Sequence, residues 1–392
     1  INLFSLGKLK FSGKFPSFGE RIPNGELNLI MCSNCKLVQL KNAFNLKYLY
    51  NKDYGYRTGI NKTMSDHVKS VTKKLAKLSR LKKNENVLDI ASNDGTLLNF
   101  YKKNIITWGV DPILEKYLKN YKKINYKIAN FFNYRFIIKK KKSVKFKLIT
   151  ALSVFYDLEN PNDFVIAIKK LLKKDGVFYL EFQDLMMILK KNMFDTICHE
   201  HLEYYSVTFI KSLMNKHGLR VFDHKYNEIN GGSSAYFICH KDAKFKTKSF
   251  KIKKIIKNEK KIGIEKVATY KKYKKKIDEK KIKIKNILNN LSKRKKIVHG
   301  YAASTKGNIL LQYFGIKKDK IKFISDRNPN KFNLYTPGTN IKIISEEESR
   351  KLKPDYYFVL AWHFKKEILI RENNIRKKGT KFIFPLPKLD IV

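Results

Sequence analysis

From residue 86 onward, short continuous apolar runs alternate with amphipathic segments. "NVLDIA" (86–91), "TWGVDP" (107–112), "KLITAL" (147–152) and "GVFYLEF" (176–182) have the pattern of strands buried on both faces of a parallel sheet. "TLLNFYKK", "ILEKYLKNY" and "DFVIAIKKLLKK", between or beside them, carry helical spacing and predict crossover helices. "TMSDHVKSVTKKLAKLSRL" (63–81) predicts a helix ahead of the first strand. Strands alternating with helices in this way give a doubly wound α/β domain. "LRVFDHKY" and "SSAYFICHK", joined by "NEINGG", predict a closing antiparallel pair. A second, smaller Rossmann-like unit follows: "KIVHGYA" as strand, "GNILLQYFG" as helix, "KIKFISD" and "YYFVLAW" as strands, "KKEILIRENNIRKKG" as helix and "TKFIFPL" as the last strand.

The remaining stretches frame these two units. Residues 1–75 read as irregular, with short strands around "ELNLIMCSNCKLVQL". Between the α/β units, "FKIKKIIKNEKKIGIEKVATYKKYKKKIDEKKIKIKNILNNL" keeps Ile and Val at helical spacing amid lysine, which predicts a long solvated helix or helix pair. The expected organisation is an N-terminal segment (1–75), an α/β core (76–240), a Lys-rich helical linker (241–292) and a C-terminal Rossmann-like domain (293–392).

Composition narrows the class. The 392 residues suffice for two or three cores, and 43% hydrophobic with 13% aromatic residues describes a globular chain. No apolar run approaches the roughly 20 residues of a membrane span. The N-terminus does not read as a signal peptide. Four cysteines do not form a disulfide framework, so a reducing, cytoplasmic setting is expected. The first residue is Ile1, so further residues are expected upstream. The net charge of +50 suggests a nucleic-acid partner at first sight. The lysines are instead spread over the whole chain with abundant Asn and Ile, as in a lysine-biased genome, and nucleic acid is not the expected partner. A positive field still favours anionic small molecules such as nucleotides. Nothing in the sequence sets the oligomeric state.

Candidate cofactor chemistry lies in "VLDIASNDGTLL" (87–98), a strand, a tight polar loop and a helix start whose free N–H groups suit a polar or anionic ligand. Asp111 follows Asp89 by 22 positions, at the end of the next strand, where an acid commonly accepts ribose hydroxyls. A pyrophosphate loop wants three glycines. Here Ala91, Asn93 and Gly95 leave one, which favours a cofactor without pyrophosphate, such as S-adenosylmethionine. Ser92, Asn130 and Phe131 join Asp89, Asn93, Gly95 and Asp111 as cofactor candidates.

"DTICHEHLEYYS" (195–206) concentrates Cys198, His199, Glu200, His201 and Glu203 in a chain with only 8 His, too dense to pass over. A zinc-protease motif needs a second His where Glu203 stands, and His199 and His201 share a face only if the segment is extended. Proton transfer is the better reading, with a polar loop of satisfied histidines as the plain one. "GYAASTKGN" opens the second α/β unit without Walker spacing. Its Lys306 is placed to face a diphosphate at the helix start near Asn308, or it forms a tight turn packed between domains.

Several stretches in order resemble one family. "MCSNCKLVQL", "DYGYRTGINKTMSDH", "VLDIASNDGTLL", "GVDP", "FYDLENPNDF", "ICHEHLEYYS", "NGGSSAYF", "GYAASTKGNILLQYFG" and "PDYYFVLAWHFKKEI" are similar to the three-part C-methyltransferases of nucleotide-linked keto-deoxysugars. The resemblance implies a zinc-binding N-terminal segment, a class I methyltransferase core using S-adenosylmethionine, and a C-terminal Rossmann-like domain. It implies His201 as the base beside the sugar ketone and Glu200 as its support or a sugar ligand. His199 with Tyr54 or Tyr56 would position the sugar and donate to the enolate. It implies that Cys32 and Cys35 are half of a structural zinc site, the other pair lying ahead of Ile1. Cys198 departs from the family's tyrosine, and Ala91 from its glycine. A sugar O-methyltransferase, or a basic RNA-binding methyltransferase or binding module, is the alternative.

Overall fold

Three sheets carry the chain. The computed structural model describes residues 1–50 and 54–392. Asp53, which opens "DYGYRTGINKTMSDH", lies outside the described residues. The N-terminal stretch is more regular than its sequence promised. β1 (Asn2–Lys10), β2 (Asn24–Met31) and β3 (Val38–Leu40) form an antiparallel meander. Leu27, Leu29 and Met31 point inward while Glu26 and Asn28 point out, the period of two that one buried face requires.

The core sheet is built from β4 (Asn86–Ile90), β5 (Ile106–Val110), β6 (Tyr126–Ile128), β7 (Phe146–Leu152) and β8 (Leu172–Gln183), all parallel. A two-residue β9 (Glu203–Tyr204) pairs antiparallel with β3, so it completes the N-terminal sheet. β10 (Leu219–Asn227) and β11 (Ser233–His240) close the core edge as the expected hairpin, giving the order β10-β11-β8-β7-β4-β5-β6. This is the Rossmann-like α/β core anticipated from the apolar runs. The two crossovers after β4 and β5 are 3₁₀ segments, Leu98–Phe100 and Leu114–Tyr121, where α-helices were expected. At the first, Asp94 takes the hydroxyl of Thr96 at 2.6 Å, a local turn that competes with an α-helical start.

The second unit is a six-stranded sheet of order β14-β13-β12-β15-β16-β17. Its members are β12 (Val298–Tyr301), β13 (Ile324–Asp326), β14 (Ile343–Ser345), β15 (Tyr356–Val359), β16 (Lys381–Phe384) and the antiparallel β17 (Asp390–Ile391). The sequence pattern did not reveal β14.

The lysine-rich region is not a solvated linker. Its helices Ser249–Ile262 and Val267–Lys293 each bury a stripe. On the longer one, Tyr270, Tyr273, Ile277, Ile284, Leu288 and Leu291 join the hydrophobic core shared by the N-terminal sheet and the second Rossmann unit. Tyr273 packs on Phe4 of β1 with ring centroids 5.9 Å apart. Lysine stems flank the buried stripe and keep their charges in water. Among the described residues no helix is long and apolar enough to cross a membrane.

Candidate active site

In an open α/β sheet the ligand crevice lies beyond the carboxyl ends of the strands, where the strand order reverses. β4, between β5 and β7, is that point in the core sheet, and β12, between β13 and β15, is its counterpart in the second. Both sheets open onto one cavity of about 610 Å³. The core supplies the loops after β4, β5, β7 and β8; the second unit supplies Ser304, Thr305, Lys306, Ala361, His363 and Phe364.

The β4 loop is wound tightly. Ala91 (φ 58°), Asn93 (φ 50°) and Gly95 (φ 75°) all have left-handed backbones, and Ala91 holds this conformation with a side chain present. Asp111 fixes the loop: one carboxylate oxygen accepts the Asn93 N–H at 2.8 Å and the other the Ile113 N–H at 2.9 Å. Burial lifts its pKa to about 6 against the pull of these amides. Asp89 accepts the Thr150 hydroxyl at 2.6 Å, and burial raises it to about 7. Ser92 pairs with the Tyr121 hydroxyl at 2.8 Å. Asp89, Ser92, Asn93, Asp111 and Phe131 line the cavity. Two of the expected cofactor contacts do not. Gly95 shapes the loop, since a Cβ there would stand 2.9 Å from Ile124. Asn130 turns to the surface and accepts the N–H of Phe131 at 2.8 Å.

Opposite this half stands the His-Glu-His stretch. The Nδ1 of His201 donates to the Thr196 carbonyl at 2.8 Å, which leaves the Nε2 lone pair bare. The ring lies against Tyr156, centroids 4.1 Å apart. Burial, aided by the charge of Lys306, lowers the His201 pKa to about 3. Glu200 is fully buried, accepts the Ser12 hydroxyl at 3.3 Å and is pushed up by burial. Tyr54 and Tyr56 both line the cavity; burial raises the Tyr54 phenol, whereas Tyr56 remains 40% exposed.

Two assignments need correction. His199 does not reach the cavity. The residues around it form a turn, not a strand, so it points away from His201 and donates its Nε2 hydrogen to the Gly25 carbonyl at 3.2 Å. Phe11 and Phe44 flank its ring at 4.6 and 4.9 Å. It ties this loop to the N-terminal sheet. Asn308 is likewise structural, fully buried and donating to the Ser12 carbonyl at 2.8 Å. Lys306 does line the cavity, its ammonium donating to the Asn230 carbonyl at 3.0 Å.

Sequence reasoning missed Asp157. It is buried in the cavity wall after β7, accepts the Tyr50 hydroxyl at 2.7 Å, and is raised well above the usual carboxylate range by burial. "FYDLENPNDF" attracted notice as a motif, but an acid in a loop gives no signal until the fold sets it beside Glu200.

A smaller cleft of about 160 Å³ adjoins, at the carboxyl ends of β12 and β13, lined by Ser304, Asp326, Arg327, Lys331 and Arg371 among others. Cys32 and Cys35 stand at the turn between β2 and β3. The amides of Cys35 and Asn34 lower the Cys32 thiol, while burial raises Cys35. Two thiols are half of a tetrahedral zinc set, and among the described residues no group of three or more His, Cys, Asp or Glu is placed to hold a metal. These residues do not by themselves fit zinc.

Residues 61–224 match the methyltransferase domain family, and residues 228–387 match the family described as C-methyltransferase C-terminal domain. The C-methyltransferase NovU of Streptomyces niveus is 30% identical over 246 residues, covering 63% of this chain. The chain spans 58% of that relative's length. Among solved structures, an S-adenosylmethionine-dependent methyltransferase from Clostridium acetobutylicum ATCC 824 is 14% identical, covers 45% of this chain and 92% of its own, and gives a TM-score of 0.37. Magnesium protoporphyrin IX methyltransferase from Synechocystis PCC 6803, with bound SAH, is 13% identical, covers 46% and 88%, and gives 0.34.

Proposed function

We propose that this chain, whose two halves match a methyltransferase domain and a C-methyltransferase C-terminal domain, is a C-methyltransferase that transfers a methyl group from S-adenosylmethionine to the carbon beside the ketone of a nucleotide-linked keto-deoxysugar. The observation that carries the reading is the single cavity onto which the switch points of two Rossmann-like sheets open, with a cofactor-type wall on one side and proton-handling residues on the other.

The cofactor fits the half at β4 and β5. The loop curls so that its backbone faces the cavity, and Asp111, pinned by two amides, has lone pairs left for ribose hydroxyls. Phe131, Phe132 and Ile113 offer apolar surface for a purine. Once bound there, S-adenosylmethionine supplies an electrophilic methyl group on a cationic sulfur. The sugar then lies between this half and the His201 wall, and its nucleotide reaches toward the cleft at β12 and β13, where Lys331 and Arg327 suit phosphates.

In this reading His201 is the base. With its Nδ1 hydrogen committed to Thr196, Nε2 faces the C–H bond as an acceptor. The low pKa keeps the ring neutral throughout the physiological range, so the lone pair is always available. Burial penalises an isolated imidazolium. When the sugar proton arrives, however, negative charge develops beside it as the ketone oxygen takes up the carbonyl electrons, and the two charges stabilise each other in a low-dielectric site. Glu200 supports the ring or holds sugar hydroxyls. Mass spectrometry of products from a panel of nucleotide-linked keto-deoxysugars tests the reading. A carbon-bound methyl on one of them is expected; methyl on oxygen, or no transfer to any, would reject it.

A further inference from the structure

Asp157 and Glu200 come from different elements, the loop after β7 and the turn before β9, yet both face the same cavity. Each keeps one buried oxygen with no hydrogen-bond partner, Oδ1 of Asp157 and Oε1 of Glu200. Neither makes an ion pair among the described residues. The titratable groups around them are Tyr50, Tyr54, Tyr156, Cys198, His201 and Tyr204, all neutral at pH 7. The cation on this wall, Lys306, bears on Asp195, Cys198 and His201. Tyr50 donates to Asp157 at 2.7 Å and Ser12 to Glu200 at 3.3 Å, and the Cys198 thiol and the amides of Glu200 and Gly13 also turn toward Glu200.

Two carboxylates without a counter-ion in one buried wall are costly, and like charges facing one cavity oppose each other. A single proton held between them removes one charge and makes one carboxyl a hydrogen-bond donor. His201, with its Nε2 bare, has no proton to give. Nor do the tyrosines match the task well, since burial makes them still weaker acids. The wall therefore holds a base at His201 and needs an acid for the ketone oxygen.

We propose that Asp157 is a further catalytic residue: it and Glu200 share one proton, and the Asp157 carboxyl presents that proton to the ketone oxygen of the sugar. The step balances. The proton on the carbon beside the ketone moves to His201 Nε2, the C–H electron pair becomes the carbon–carbon double bond, and the carbonyl π pair moves to oxygen. That oxygen takes the Asp157 proton, leaving an enol and an Asp157 carboxylate stabilised by the Tyr50 hydroxyl. The proton returns when the carbonyl re-forms. An acid kept protonated by burial and used as a donor at an oxyanion is known enzyme chemistry.

This inference rests on the proposed reaction, so its test has an arm that does not. Infrared spectra of the ligand-free protein at pH 7 should show a protonated-carboxyl band that shifts in D₂O and is lost or displaced in Asp157→Asn. No such band, or one unchanged in the variant, overturns the shared proton. The second arm follows deuterium exchange at the carbon beside the ketone of a thymidine-diphosphate-linked 4-keto-6-deoxyhexose. Asp157→Ala should slow exchange by about 10²–10³, as for loss of an oxyanion donor. Asp157→Asn, still a donor, should keep most of the rate but lose the alkaline fall of the wild-type pH profile. An Asn variant with the wild-type alkaline limb overturns the assignment. Absence of exchange and methylation in the wild type across the sugar panel would instead reject the proposed reaction, and the infrared arm would still decide the proton.

Discussion

Asn308 donates its side-chain N–H to the carbonyl of Ser12, 2.8 Å away, so the first helix of the second Rossmann unit grips the end of β1. Ser12 in turn donates to Glu200. The N-terminal sheet therefore does more than cover the core: it reaches the cavity wall that carries Glu200 and His201. At Gly13 even a methyl would collide with the Glu200 carboxylate. Asn308→Ala leaves a buried carbonyl unpaired and should destabilise the protein by about 1–3 kcal/mol in a denaturant titration. S-adenosylhomocysteine binding should hold steady. A variant of unchanged stability would mean that the contact is dispensable.

Asp111 holds two loop amides and lines the cavity, and in the proposed reading it takes a ribose hydroxyl. Asp111→Asn keeps the shape but converts one acceptor into a donor. Calorimetry should show S-adenosylhomocysteine binding weakened by about 1–3 kcal/mol. Equal affinity in the variant would remove Asp111 from the cofactor site.

His201 and His199 should separate cleanly. His201→Asn should lose methyl transfer, and deuterium exchange beside the ketone, by about 10²–10⁴ with cofactor affinity retained. His199→Asn sits among Phe11, Phe44 and Gly25, so it should lower melting temperature more than it lowers turnover per folded molecule. Wild-type exchange in the His201 variant would place the base elsewhere.

Stability should respond to pH in a way set by buried groups. His199 and His299 are lowered to about 4, and His201 and His224 to about 3, all chiefly by burial. Unfolded, each binds its proton near 6.5, so these four make stability rise with pH between about 4 and 6.5. Burial raises Asp111 to about 6, Asp89 and Asp184 to about 7, and Glu203 to about 8. The folded chain holds those protons while the unfolded chain releases them near pH 4, so this set makes stability fall as pH rises. The two sets oppose each other up to about 6.5, and above it only the carboxyls act. Calorimetric melting temperatures should be flat from about pH 5 to 6.5 and fall toward pH 8. A rise over that alkaline span would contradict the assignment.

Much of this architecture was legible because buried parallel strands are written as unbroken apolar runs, and β4, β5, β7 and β8 fall where those runs do. The 3₁₀ crossovers were not, because the Asp94–Thr96 turn decides against an α-helix through a side chain rather than through periodicity. The lysine-rich helices were misjudged for a different reason: the abundance of lysine suggested a solvated surface, although the spaced Ile, together with Tyr270 and Tyr273, makes a stripe wide enough to dock. Within the site, the loop acids and His201 could be named from spacing and likeness. Asp157 could not, since its meaning comes from Tyr50 and Glu200, which are far from it in sequence. His199 was misplaced because two residues of separation in a turn, unlike in a strand, send side chains to different neighbours.

The two residues of β9 that pair with Val38 and Gln39 follow almost directly after His201. The N-terminal sheet thus borrows its last strand from the loop that bears His201. Anyone shuffling modules between relatives to change substrate choice inherits this stitch. A transplanted first segment would arrive with an open edge unless residues 203–204 suited it, and a transplanted core would lose the brace on its own His201 loop. The smallest exchangeable cassette is therefore discontinuous, one piece from each side of the core, and crossovers placed at the apparent boundary near residue 75 should yield poorly folded hybrids.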